Sequence, residues 1–272
     1  MANFQVSGPE GATPPTQPGV GGAQMAGGFG WTIGQAGDLA NSIAQEVAKF
    51  LAEIKVMTEL LKKETAVQQW MAQWQTDYNQ YGSDSNQTKA DEKKMLEALA
   101  ALKKFGAEGY KQVIAQVGAQ FNLPQGQIQE AMANAGGLIN QVLNSSGAGT
   151  TNVISVLERL AQGTPGAVNF NQALEAWWKA KPGSKEEQAA EQRFATALHS
   201  TLILVGSGSS KVTQFQIGWQ NLIGQVSDVG QVLQAQMGVQ KSSIEALYTG
   251  MAKIASKAFS TIQTMIRLTG NV

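Results

Sequence analysis

Residues 212–238 read VTQFQIGWQNLIGQVSDVGQVLQAQMG. Val212, Phe215, Trp219, Leu222, Val226, Val229 and Leu233 step by three and four, which places them on one stripe of an α-helix. One extra step of four reaches Met237. The alternation then resumes through Gln240, Ile244, Leu247, Met251 and Ile254. A heptad stripe with one four-residue insertion is the pattern of a coiled coil with a stutter, where the supercoil locally unwinds. The other faces of this helix are unusual. Asp228 is the only charge between 212 and 238, and glycine recurs at 218, 224, 230 and 238. A helix that is neutral all round is normally buried all round. Each glycine costs about 1 kcal/mol against alanine, a loss that close packing can offset. The stretch therefore predicts a long helix packed on more than one side.

Its partner lies at the other end of the chain. Ile43, Val47, Phe50, Ile54, Met57 and Leu61 form a second helical stripe, with Glu46, Lys49, Glu53, Lys55, Glu59 and Lys63 on the polar face. Asp38 reads as the N-cap, and the pattern runs through Trp70, Trp74 and Tyr78 to a break at Gly82–Asn86. At about 1.5 Å per residue the two helices would be about 65 and 85 Å long. A compact globule of this chain length has a radius of gyration of about 18–19 Å, too small to bury either lengthwise. The expected fold is all-α: two long helices forming an antiparallel coiled coil, with a smaller helical middle region projecting as a knob and a flexible N-terminal arm. The boundaries are 1–37 for the Gly/Pro/Gln-rich arm, 38–81 for the first long helix, 82–206 for the helical middle and 207–272 for the C-terminal helix.

The arm holds a single charge, Glu10, and too few apolar residues to offset chain entropy. The middle breaks into short helices. One covers 88–106, one opens at Pro124 and runs to about 143, and others cover 151–162 and 171–180. Ser184 with Glu187 predicts a capping box for the next. SSGAGT (145–150) and GSGSS (206–210) read as breaks, and no stretch alternates with the period of two that a strand needs.

Composition narrows the function. Lys+Arg and Asp+Glu are equal at 20 each, which gives nucleic acid no electrostatic footprint. Charged residues are only 15 %, and Gln, Asn, Ser, Thr, Ala and Gly take their place, a mixture that suits close self-assembly. Without cysteine, disulfides and thiolate metal sites are excluded. The first residues lack the basic and apolar regions of a secretory signal peptide, and no apolar run reaches the roughly 20 residues of a membrane span. His199, the only histidine, stands in ATALHSTLIL without a nucleophile motif and reads as a histidine satisfied on a helix face. GSGSS lacks the Lys that a phosphate loop requires. Trp70 and Trp74, four apart, read as core or interface. No catalytic, cofactor or metal residue is expected. The stripe Val212, Phe215, Trp219, Leu222, Val226, Val229, Leu233, Met237, Ile244, Leu247, Met251 and Ile254 is the expected assembly interface of a homo-oligomer, a helical polymer.

This outline resembles the hydrophilic extracellular components of bacterial type III secretion systems. The filament-forming translocators of enteropathogens are nearest, and the needle-tip proteins more distant. The resemblance is carried by the uncharged arm of 1–37, by NSIAQEVAKFLAEIKVMTELL (41–61) and by SSIEALYTGMAKIASKAFSTIQTMI (242–266). The excess length between 82 and 206 and the Trp-rich middle depart from that group. The resemblance implies export to the bacterial cell surface, a secretion chaperone on the C-terminal helix, needle and translocon partners, and polymerisation into a conduit. Phage or virion structural proteins share the neutral helices and flexible arm. A helical pore-forming toxin would need an insertion hairpin, for which 194–205 is the one candidate.

Overall fold

The computed structural model describes residues 25–144 and 152–269, with backbone alone at 25–37, at 40 and at several positions beyond 243. Every regular element among them is helical, without a strand. Helix α1 spans Met25–Tyr81, α2 Asn86–Lys104, α3 Tyr110–Gln120, α4 Gln125–Asn144, α5 Val153–Ala161, α6 Ala167–Lys179, α7 Lys185–Val205 and α8 Ser210–Thr269. A single π-turn, Phe105–Gly109, joins α2 to α3.

Local chemistry sets most of these limits. Ser85 caps α2 by accepting from the Thr88 N–H at 3.1 Å. Pro124 precedes α4, and its carbonyl accepts from the Gln127 and Ile128 N–H groups. Asn152 and Ser155 form a reciprocal capping box at α5. GSGSS is a tight turn: Gly206 and Gly208 take positive φ angles of 60° and 75°. Ser209 Oγ accepts from the Val212 N–H, and Ser207 bonds Asn79 at the end of α1.

Three expectations are corrected. Asp38 is not an N-cap but lies inside α1, which begins at Met25. No proline follows Pro18 in the arm, so nothing removes a helical N–H, and each glycine costs only about 1 kcal/mol. Residues 1–24 of the expected arm and SSGAGT lie outside the described residues. The helix expected over 88–106 continues through FGAEG into α3, because the π-turn keeps the backbone bonded: the Tyr110 N–H reaches the Phe105 carbonyl. The middle is not a knob standing off the long pair. Met95, Leu99 and Leu102 of α2, Val156 and Leu160 of α5, and Phe170, Trp177 and Phe194 of α6 and α7 share one core with α1 and α8. Helix α2 lies along α1, and α5 along α8. The amphipathic middle helices must bury their own stripes, and the free sides of α1 and α8 are the nearest apolar surface.

Helices α1 and α8 contact one another at points that run in reverse order along the two. Ser207 bonds Asn79 just before α8 begins, Gln216 Nε2 donates to Gln75 Oε1, and Trp219 Nε1 donates to the Glu64 carbonyl. Ala52, Val56, Leu60, Val67, Met71 and Trp74 supply the buried α1 side.

Candidate functional site

The two sides of α8 differ sharply. Val212, Phe215, Trp219, Leu222, Val226 and Leu233 are buried in the chain's own core, while Val229 and Met237 are half-buried. The side chains of Ile244, Leu247, Met251 and Ile254 lie outside the described residues. This corrects the expected assembly interface. The stripe from 212 to 233 is covered within one chain by α1 and the middle helices, so it offers another copy no free surface.

What remains free is the opposite side. Ile217, Val232 and Val239 are 54, 57 and 66 % exposed. Val232 and Val239 are one heptad apart, and Ile217 and Gly224 are another such pair one position back. Helical spacing therefore joins them into one narrow band. Gly218 belongs to the chain's own packing: a Cβ there would stand 3.1 Å from Val156 of α5. Gly224, Gly230 and Gly238 have open space where a Cβ would go. All three lower helix propensity; Gly224 and Gly238 fall on the outer side, whereas Gly230, four residues after Val226 and three before Leu233, is half-buried at the edge of the inner stripe. Asp228 is exposed and makes no ion pair or hydrogen bond among the described residues. The outer band thus offers exposed apolar side chains, small residues and one free carboxylate.

Polar groups inside the bundle are engaged in holding helices together. Glu92 of α2 accepts from Trp74 Nε1 of α1 at 3.2 Å and bonds His199 Nδ1 of α7 at 2.6 Å. His199 is therefore a strap between helices, with its side chain 38 % exposed. The neighbouring Ser200 hydroxyl donates to the Thr196 carbonyl within α7, so it is not poised as a nucleophile on His199. Lys103 of α2 pairs with Glu187 of α7, both nearly buried, and its ammonium sits 5.2 Å from the centre of the Trp177 ring. Ser184 Oγ caps α7 through the Glu187 N–H, but the Glu187 carboxylate turns to the Gly183 N–H and to Lys103. The expected box is thus closed on one arm only. Burial works to raise the Glu187 carboxyl, and the hydrogen bonds from Lys103 and Gly183 outweigh it and hold it below the usual range.

Glu64 and the indole Nε1 of Trp177 are not engaged in this way. Glu64 is fully buried, both carboxylate oxygens lack a hydrogen-bond partner, and burial alone pushes its carboxyl up to about 8. At neutral pH it stands protonated in the core, where a charge without a partner would be far more costly. Asp91 of α2 is likewise raised, first by burial and then by its hydrogen bond to Asp77 of α1. Among the described residues no three histidine or carboxylate side chains converge as a metal site, and no helix is long and apolar enough to cross a membrane.

The side chains that make the outer band, Ile217, Val232 and Val239, escaped the sequence reading. The spacing signal was there, seven residues between the two valines, but which side of α8 the middle helices cover was not. No protein-family model, curated protein or solved structure matches this chain.

Proposed function

We propose that the chain is a structural subunit that polymerises through its long helices, with the outer band of α8 as the surface that meets the next copy. One observation carries the reading. From 212 to 240 the free side of α8 has a single charge, together with exposed Ile217, Val232 and Val239 and two glycines, Gly224 and Gly238, with open space where a Cβ would go. Exposed apolar surface joined in one band is characteristic of a contact surface. In this proposal α1 and α8 are an antiparallel coiled coil whose seam is the Val212–Leu233 stripe. The band on its back is the polymer contact.

The assembly we propose is the extracellular filament or conduit of a bacterial type III secretion system. Support comes from the outline of neutral N-terminal segment, first long helix, variable middle and Gln/Ser-rich last helix, and from the absence of cysteine. A secretion chaperone and the needle and translocon proteins are the partners this proposal brings with it. The test is negative-stain microscopy together with sedimentation of the purified protein over a range of concentrations. Thin filaments or concentration-dependent oligomers are expected. A monomer at every concentration overturns self-assembly. Recovery of the protein inside phage particles overturns the secretion placement and leaves self-assembly standing.

A further inference from the structure

A groove of about 440 Å³ lies where α1, α2 and α3 meet at the π-turn. Its rim carries Lys55 and Lys63 from α1 and Lys104 from α2, and its apolar surface comes from Phe105 and Val113. None of the three lysines makes an ion pair among the described residues. Lys63 stands 5.4 Å from the centre of the Phe105 ring, and Lys104 feels Glu187 only at longer range. The acid on the rim, Glu59, is taken by Lys62 at 2.8 Å. In a chain with so few charges, three cations without an ion-pair partner around a floor of half-buried Val113 and the edge of buried Phe105 form a concentrated positive site. Lys55 and Lys63 are eight residues apart on α1, about 12 Å or two helical turns.

The outer band of α8 has the complementary features. Asp228 is its one charge, unpaired and exposed, with Gly224 one turn before it and exposed Val232 one turn after. The open glycine lets a helix approach closely, and the valine supplies an apolar knob. The two sites also share a level along the molecule. Trp219 Nε1 bonds the Glu64 carbonyl; Asp228 lies nine residues beyond Trp219, and Lys55 nine residues before Glu64. The contacts run in reverse order, so these two residues stand at about the same height while presenting different faces.

We infer that the groove of Lys55, Lys63 and Lys104 receives the Gly224–Val232 band of a second copy, with Asp228 among the lysines and Val232 against Phe105. The contact joins two different patches, so it is heterologous, and repetition gives an open polymer where the rotation does not close a ring. Because the patches lie at one level, neighbouring copies stand side by side. The inference rests on the self-assembly proposed above and names the surface that completes it.

The test is a charge exchange between two exposed sites. Copies carrying Asp228→Lys alone, and copies carrying Lys55→Glu with Lys104→Glu alone, each place like charges in the contact. The critical concentration for assembly of either is expected to rise about tenfold or more, since like-charge contacts cost several kcal/mol. An equimolar mixture should assemble near the wild-type concentration, because every contact in an alternating polymer then pairs opposite charges. Recovery in the mixture also shows that both variants are folded. Normal assembly of either variant alone overturns the inference, and so does failure of the mixture. A wild-type protein that never assembles instead overturns the self-assembly reading itself.

Discussion

The indole Nε1 of Trp219 donates to the main-chain carbonyl of Glu64 at 2.8 Å, both groups buried, across the contact between α8 and α1. That bond sets the level at which the two long helices meet. Neither the indole nor the carbonyl can be read as paired from the sequence, because they are 155 residues apart.

Replacing Trp219 with Phe keeps most of the ring and removes the donor. The expected loss is about 1 kcal/mol in urea unfolding, the usual net value of a buried hydrogen bond. Trp219→Ala adds a cavity at a fully buried site, and about 3–5 kcal/mol is expected. Equal losses for the two would show that the bond contributes nothing.

Glu64 makes stability depend on pH in a specific window. Its folded carboxyl titrates at about 8, well above the ordinary glutamate value of 4.5. Between these values the folded chain holds a proton that the unfolded chain has released. Stability should therefore fall by about 1.4 kcal/mol for each unit as pH rises through that window. Glu64→Gln removes the titrating group, so its stability should lack this slope. Parallel pH profiles for wild type and variant from chemical denaturation would refute the buried, protonated carboxyl.

The Lys103–Glu187 pair has the opposite sign. Glu187 is held below its ordinary range, so its contribution is present above the unfolded carboxylate pKa and is lost as pH falls through the lowered value. Lys103→Ala leaves a nearly buried carboxylate without its cation, at an expected cost of about 3 kcal/mol near neutral pH. The variant should lose less stability than wild type on acidification. Thermal melts at pH 7 and pH 4 read both effects.

The α8 glycines should separate by substitution. Gly218→Ala places a methyl 3.1 Å from Val156, so the chain should be destabilised or gain nothing. Gly224→Ala meets open space and should stabilise the monomer by about 1 kcal/mol through helix propensity. On the proposed polymer contact the same methyl should weaken assembly. A Gly224→Ala chain that is both more stable and equally competent to assemble would remove that glycine from the contact.

Val226→Asp puts a charge at a position with 1 % exposure inside the chain. Unfolding of the monomer, seen by circular dichroism, is the expected result. A folded Val226→Asp monomer that merely fails to assemble would put the stripe back on the outer surface.

The two long helices were legible because each carries an apolar stripe of many turns, and a stripe that long has one local explanation. The continuation through FGAEG was missed because glycines that end a helix and glycines that sit in a π-turn look alike until the flanking Phe105 and Tyr110 are seen buried. Glu64 stands in the run KKETAV, and nothing local distinguishes a buried glutamate from a solvated one.

By itself the sequence determined the helical class, the existence of α1 and α8, the buried stripe of α8 from Val212 to Leu233 and the near absence of charge on α8, since helical periodicity and composition are local properties. The expected stripe of α1 is corrected: Ile43, Val47, Phe50, Ile54 and Leu61 are only half-buried, and Lys49 and Glu53 of the expected polar face are buried, because the packed helices cover a side of α1 rotated from that stripe. Tertiary structure alone decided what covers each side of α8. The middle helices spread along both long helices instead of standing apart, because their own apolar stripes had to be buried somewhere. That choice took Gly218 and the Val212–Leu233 stripe into the core, and it left Ile217, Asp228, Val232 and Val239 facing outward.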